Sequence, residues 1–262
     1  MTHPLYRELR AVTPLASVLL ADNPSPMTLE GTNTWVLRAP GVAGCVVVDP
    51  GEDDEPHLRR VAAHGPVTLV LITHRHDDHA GGAHRFAELT GAPVRALDPS
   101  LVLGSEALGE GEVVAAAGVE LRVIATPGHT ADSVSFLLCG PDTPDVVLTG
   151  DTILGRGTTV IAPPDGSLGP YLDSLRRLAD LPPGTSVLPG HGPELPDAPA
   201  VVASYLAHRE ERLEQVRAAL TRLGPEATAR QVVELVYADV DRSLWPAAEW
   251  SVRAQLDHLR HP

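Results

Sequence analysis

The sequence predicts an α/β protein in which two β-sheets lie against each other with helices outside, followed by a small all-helical unit. Short apolar runs typical of strands occur in two sets, one before residue 98 and one after residue 118. Segments with helical periodicity lie between and behind these sets, and beyond a proline-rich stretch at 193–199 apolar residues recur only at helical spacing. Alternating strands and helices in one chain indicate helices layered on sheets.

The first set of strands starts near the N-terminus, where turn-forming residues separate close neighbours that should pair antiparallel. The predicted strands cover residues 17–20, 33–37, 45–48, 67–72 and 94–97. Helices are expected over residues 55–64 and 80–89, the second ended by Gly91. Residues 98–117 are too irregular to assign.

The second set of strands ends in turns that contain ligand-type side chains. Its members are predicted at residues 119–125, 134–138, 146–149 and 186–188. Residues 171–181 have leucines on one side at helical spacing, which predicts an amphipathic helix against this second sheet.

The proline-rich stretch divides the prediction into a catalytic domain, residues 1–198, and a C-terminal helical domain, residues 199–262. The first helix of the second domain is predicted to begin directly after the proline-rich stretch. Residues 228–231 form a capping-box pattern that opens the next helix. A third helix is expected over about 247–259. Its inward side chains are predicted to be Trp250, Leu256 and Leu259.

Composition and charge argue against several classes of function and mechanism. The chain of 262 residues has a net charge of −14, which repels polyanions and disfavours nonspecific nucleic-acid binding. All 20 basic residues are arginine, so no mechanism can depend on a lysine. No apolar run is long enough to span a bilayer, which predicts no membrane partner.

The two cysteines, Cys45 and Cys139, both lie in apolar runs, which predicts two buried reduced thiols rather than a disulfide framework. Arg7 and Arg10 before an apolar stretch imitate a signal peptide, but Pro14 interrupts that stretch and a first strand is the better interpretation. We therefore expect a cytoplasmic protein.

The strongest chemical signal is the stretch from His74 to His79 at the end of the strand predicted over 67–72. His74 and His76 alternate off one side of an extended segment, whereas Asp78 and His79 follow as the chain turns into a helix. Two groups of ligand-type side chains favour more than one metal ion.

Three further strand ends contain a ligand-type residue next to glycine. These residues are His129, Asp151 and His191. Glycine beside each one allows the backbone to approach a compact centre closely. Five histidines and two aspartates at strand ends therefore point to a metal site.

This order of motifs resembles the metallo-β-lactamase superfamily over about residues 17–198. The resemblance implies a four-layer αββα sandwich and two metal sites. The first site would be formed by His74, His76 and His129. The second would be formed by Asp78, His79 and His191, with Asp151 bridging both. Such ligands suit two divalent ions, with zinc preferred and iron or manganese as alternatives.

Two cations sharing a water lower its pKa toward neutrality, so a metal-bridging hydroxide can attack a carbonyl or phosphorus without a serine or cysteine nucleophile. The resemblance further implies that Asp78, besides ligation, accepts a hydrogen bond from the attacking water. Asp78 and Asp151 are therefore the predicted catalytic residues.

Aspartate at position 151 differs from the best-known zinc β-lactamases and is similar to glyoxalase II, lactonases and nucleases. Residues 23–35, residues 205–212 and the helical tail resemble the beta-lactamase-like-protein-2 branch, which includes endoribonucleases and polyketide thioesterases. The tail resembles a winged-helix unit without its wing hairpin.

These comparisons predict hydrolysis of an ester or thioester in a small or acyl-carrier-bound substrate. The alternative is single-strand-selective endoribonuclease activity. Lactonase or β-lactamase activity and a non-catalytic metal-binding module rank lower.

For the remaining polar residues the sequence gives weaker indications of a role in the site. Asp49 either orients a ligand imidazole or only forms a turn before Pro-Gly. Tyr171 and His208 are candidates for the rim of the cleft. His57 lies in a polar context and is expected to be solvated, and His84, on the helix behind the motif, is expected to face away from the site.

Overall fold

The computed structural model describes residues 4–140, 143–239 and 241–261. The first sheet has six strands, paired in chain order. They are β1 (Arg10–Ala11), β2 (Ala16–Leu20), β3 (Asn33–Leu37), β4 (Cys45–Val48), β5 (Val67–Leu71) and β6 (Val94–Arg95). The early strands pair antiparallel, whereas β4, β5 and β6 run parallel because helices connect them.

Three helices follow the chain around this sheet: α1 (Glu55–Ala62), α2 (Asp77–Ala80) and α3 (Ala83–Thr90). Leu58 and Phe86 pack on the outer face of the sheet. The helix predicted over 80–89 begins later, as α3 at Ala83, and the separate short helix α2 precedes it. The helical path is interrupted at Gly82. A Cβ atom there would lie 2.5 Å from the carbonyl oxygen of Glu52, so the backbone passes the neighbouring turn at close range.

The second sheet has five strands in the spatial order β11-β10-β9-β8-β7. They are β7 (Val113–Ala116), β8 (Val119–Ala125), β9 (Val134–Gly140), β10 (Thr143–Gly150) and β11 (Ser186–Pro189). Its inner face packs on the first sheet through side chains such as Trp35, Leu121 and Phe136. Helices α4 (Leu168–Ala179) and α5 (Ala198–Leu223) cover its outer face. The predicted four-layer arrangement is confirmed.

The C-terminal part consists of the end of α5 with α6 (Ala229–Val236) and α7 (Trp245–Arg260). The first half of α5 packs on the second sheet through Val202, and its second half packs on α6 and α7 through Val216. The capping box of Thr228 and Gln231 is present, as predicted. In the described part of the chain no helix combines the length and apolar character needed to cross a membrane.

Three burial predictions are wrong, those for Trp250, Cys139 and His57. Trp250 is 43% exposed, because Trp245 fills the inward position at the start of α7. Cys139 is exposed, whereas Cys45 is buried as predicted. Leu137 lies two residues before Cys139 on the same face of β9 and packs in the core under α4 and α5; Cys139 lies beyond that core.

His57 is buried rather than solvated, with 1% of its surface exposed. Helix α1 turns it inward, where its Nε2 atom lies 2.9 Å from the hydroxyl of Thr34. Burial, followed by the positive charge of Arg60, lowers the pKa of His57 to about 4. His84 is exposed on α3, as expected.

We expect His57 to make stability depend on pH. Between pH 6.5 and about pH 4 the imidazole of His57 is protonated in the unfolded chain but not in the folded protein. The contribution of His57 to the free energy of unfolding is therefore fully present above pH 6.5 and is lost as the pH falls through this window. The shift corresponds to about 3 kcal/mol. Urea unfolding of metal-free protein at pH 7.5 and 4 should show a smaller loss for His57→Gln than for wild type. The exposed His84→Gln should behave like wild type, and equal losses in all three proteins would contradict the assignment.

Candidate metal centre

The candidate ligands meet at one edge of the sandwich. Strands β4 and β5 are parallel and end at the same edge of the first sheet, and β8, β10 and β11 share a direction in the second. The two edges are joined by backbone hydrogen bonds: Val134 donates to the carbonyl of Thr73, and Asn33 donates to that of Gly190. Side chains that follow these strands therefore converge between the sheets.

The first group contains His74 and His76 from the loop after β5, and His129 from the loop after β8. Atoms Nε2 of His74 and Nε2 of His129 lie 3.1 and 3.0 Å from Nδ1 of His76. Burial lowers the pKa of His74 well below its usual value and also lowers that of His129. Ring nitrogens at these separations can present lone pairs to a common point.

The second group contains Asp78, His79 and His191. Atom Nε2 of His79 lies 3.2 Å from Nε2 of His191. The Oδ2 atom of Asp78 lies 3.3 Å from the first nitrogen and 3.1 Å from the second. The structure thus divides the stretch from His74 to His79 between two groups.

Asp151 lies between the groups. Its Oδ1 atom is 3.4 Å from Nε2 of His79, and its Oδ2 atom is 3.6 Å from Nε2 of His129 and 3.3 Å from Nε2 of His191. One carboxylate therefore reaches both triads, the geometry required of a bridging ligand.

The residues present fit divalent metal ions. Zinc bound tetrahedrally by imidazoles at about 2.0–2.1 Å has ligand atoms about 3.3 Å apart, close to the separations in both groups. The Oδ1 atom of Asp151 is buried without a hydrogen-bond partner, although buried polar atoms are nearly always paired. Three mutually close triads of ligand atoms, overlapping at His74 and His79, form this cluster.

Charge in the second group also favours a cation. Although burial alone would lower it, Asp151, Asp78 and Asp49 raise the pKa of His79 well above its usual value, and the pKa of His191 rises to about 9. Burial acts against ionisation of Asp78 and Asp151 too, but the imidazoles hold both carboxyl pKa values well below normal. The carboxylates are therefore ionised and available as ligands.

The outer nitrogens of these imidazoles are held by the protein. Nδ1 of His79 donates to Oδ2 of Asp49 over 2.8 Å, and Nδ1 of His129 and of His191 donate to the carbonyls of Val160 and Gly31. Such bonds set the tautomer and turn Nε2 toward the centre. For Asp49 the structure favours the first of the two expectations, because it contacts an imidazole.

Asp49 also accepts from the backbone nitrogen and the hydroxyl of Thr73, with φ of 54° at Asp49 itself. The Thr73 hydroxyl oxygen accepts a hydrogen bond from Nδ1 of His74 over 3.0 Å. One carboxylate thereby connects the ring of His74 with that of His79. Thr73 precedes the first histidine of the motif, and only the structure reveals its role.

Among the remaining candidates, Tyr171 is fully buried, and its hydroxyl donates to the carbonyl of Thr152, next to Asp151. His208 is half-buried on α5, and in the described part of the chain no hydrogen bond or ion pair joins it to the seven side chains. Its neighbour Arg209 points inward instead. Arg209 occupies a position on the apolar stripe of α5 at helical spacing, and this spacing could have revealed its inward orientation from the sequence.

The sequence and the fold are similar to those of known proteins. The model of the metallo-beta-lactamase superfamily matches residues 27–191, which include all seven side chains, and that of the beta-lactamase associated winged helix domain matches residues 228–261. The beta-lactamase-like protein 2 homolog of Drosophila melanogaster is 31% identical, over 95% of this chain and 90% of its own length. The atrochrysone carboxyl ACP thioesterase of Aspergillus fumigatus is 31% identical, over 89% and 77%.

The crystal structure of a beta-lactamase domain protein from Burkholderia ambifaria superposes with a TM-score of 0.80 at 25% identity, covering 99% of this chain and 89% of that one. The fold, the converging ligand-type side chains and the matched relatives agree. This chain belongs to the metallo-beta-lactamase superfamily and is a metal-dependent hydrolase with a C-terminal winged-helix domain.

Proposed function

We propose that this protein hydrolyses an ester or thioester bond in a small or acyl-carrier-bound substrate, using two divalent metal ions. His74, His76 and His129 would hold one ion. Asp78, His79 and His191 would hold the other, and Asp151 would bridge them. The observation that supports a dinuclear site is the position of the Asp151 carboxylate within 3.6 Å of nitrogens from both triads. The bound ions would supply an activated water at neutral pH and polarise the oxygen under attack.

The side chains around the centre would orient this reaction. Asp78 directs Oδ2 toward His79 and His191, and its carboxylate is 21% exposed, twice the exposure of Asp151. It is the more exposed of the two carboxylates, and its proposed second role is to accept a hydrogen bond from the attacking water. The ring positions are maintained from outside by Asp49, Val160 and Gly31.

Acyl rather than phosphodiester substrates are favoured by similarity and charge. A carboxyl ACP thioesterase is 31% identical over 89% of this chain. A net charge of −14 opposes approach of a polyanion at low salt. Zinc is the proposed metal, because imidazole and carboxylate ligands at these spacings suit it.

A substrate panel tests this proposal. Zinc-loaded protein should hydrolyse acyl thioesters, including an acyl-carrier-bound thioester, faster than lactones, and it should leave bis(p-nitrophenyl) phosphate nearly untouched. Each activity should disappear on treatment with dipicolinate and return when zinc is restored. Turnover of the phosphodiester without hydrolysis of any ester or thioester would contradict the proposal.

Endonucleolytic cleavage of single-stranded RNA is the second candidate, because the winged-helix model matches residues 228–261. In that region Arg230, Arg253 and Arg260 line a cleft of about 420 Å³. Such binding should weaken steeply with salt. Failure of the zinc-loaded protein to cut single-stranded RNA would reject this candidate.

A further inference from the structure

The inner face of α5 contacts the loop of residues 151–160, which connects the end of β10 to the proline-rich segment before α4. Tyr205 and Arg209 are one helical turn apart on α5, and both are buried against this loop. The hydroxyl of Tyr205 accepts from the backbone nitrogen of Leu154 and donates to the carbonyl of Gly157. Tyr205 therefore holds the first half of the loop.

Arg209 holds the second half. Only 4% of its surface is exposed, and Nη2 donates to the carbonyl of Thr159. The guanidinium carbon lies 5.0 Å from the centre of the Tyr171 ring. In residues 4–140, 143–239 and 241–261 no carboxylate forms an ion pair with it, and Nε has no hydrogen-bond partner.

A buried cation without a paired carboxylate is expensive, so folding stability gives little reason to place arginine here. An apolar residue would continue the stripe formed by Val202, Leu213 and Val216 on the same helix. Arg209 donates a hydrogen bond to the loop, which indicates that its role is to hold the loop in position.

The loop in turn determines the setting of two metal-site residues. The hydroxyl of Thr159 donates to the carbonyl of Asp151 over 2.5 Å, and the next residue, Val160, accepts through its carbonyl from Nδ1 of His129 over 2.9 Å. The Thr159 carbonyl and the Val160 nitrogen belong to one rigid peptide unit, so holding that carbonyl sets the plane from which Val160 and its own carbonyl continue.

We infer that Arg209 is a positioning residue for metal binding, acting from α5 through Thr159 and Val160 on the backbone of Asp151 and the ring of His129. Arg209 contacts neither an ion nor substrate. This inference rests on the proposed dinuclear centre. It gives α5 a role in the site: this helix completes the support of Asp151 and His129 as well as covering the second sheet.

Metal affinity tests the inference without relying on turnover. Competition with a chromophoric chelator gives the dissociation constant of each zinc ion. Arg209→Gln should reduce the affinity for at least one ion about 10–100-fold. Arg209→Lys, which keeps the charge and one donor, should recover part of this loss. Arg217→Gln removes an exposed arginine from the same helix and should bind zinc like wild type.

A stability control separates positioning from a purely structural role. Val216→Ala removes a buried side chain of α5 far from the loop contacts and should lower the unfolding midpoint while leaving zinc affinity unchanged. If Arg209→Gln does not fold, Thr159→Val, which removes the hydroxyl that donates to Asp151, should show the same loss of affinity.

Wild-type affinity for both ions in the folded Arg209→Gln protein, or in Thr159→Val where Arg209→Gln does not fold, would overturn the inference. An equal loss of affinity in Val216→Ala would overturn it too. Wild-type protein that binds fewer than two zinc ions would instead refute the dinuclear centre, so the two failures are distinguishable.

Discussion

Replacement of Asp151 with asparagine should lower kcat/KM at least about a thousandfold, because loss of a shared anionic ligand removes several kcal/mol of transition-state stabilisation. The carboxylate lies within 3.6 Å of nitrogens in both triads, and asparagine has the same shape but one oxygen and no charge. The zinc content should fall below two per chain. Steady-state kinetics with the best thioester of the panel, together with metal analysis, checks both expectations.

Asp173→Asn is the matched control, because Asp173 is an exposed aspartate that forms an ion pair with Arg176 on the same helix. It should retain wild-type activity and metal content. Circular dichroism should show both variants folded. Full activity of a folded Asp151→Asn protein with two bound ions would remove the bridging role from Asp151.

Gly190→Ala should reduce activity by at least about a hundredfold, because a shift of about 1 Å at reacting groups is sufficient for such a loss. A Cβ atom at Gly190 would lie 2.5 Å from Oδ1 of Asp151 and 2.6 Å from Cε1 of His79, distances at which these side chains must move. A single methyl group, the smallest side chain, should thus displace Asp151, which lies between the two groups, and His79 of the second group. Kinetics and zinc affinity of the purified variant measure the effect.

Gly109→Ala provides the comparison, since the added Cβ would lie 3.8 Å from Oε2 of Glu112, an ordinary van der Waals contact. That variant should match wild type in activity and zinc binding. A Gly190→Ala protein with wild-type zinc affinity would show that the centre has more space than the structure indicates.

The sequence is informative about the centre because each ligand-type residue follows a recognisable strand. The run over 67–72 is apolar and β-branched, and the HxHxDH pattern follows at once. Gly128, Gly150 and Gly190 lie beside His129, Asp151 and His191, and all three would collide with neighbouring groups if they had side chains. Local patterns of this type are readable because strand periodicity and close backbone approach leave a direct trace in composition.

Burial was less predictable wherever a distant part of the chain supplies the covering atoms. The polar surroundings of His57 in sequence conceal its inward orientation beside Thr34 on β3. Cys139 lies in an apolar run, yet the core under α4 and α5 ends before it. Hydropathy describes neighbours along the chain, whereas exposure depends on neighbours in space.

By itself the sequence determined the two sets of strands, the layered α/β class and the seven ligand-type side chains, since these depend on periodicity and spacing within short segments. Only the tertiary structure decided that Asp49 joins the rings of His74 and His79, that Asp151 reaches both triads, and that Arg209 rather than His208 points inward. Each of these contacts joins residues far apart in the chain, and their distances are set by how the sheets and α5 pack.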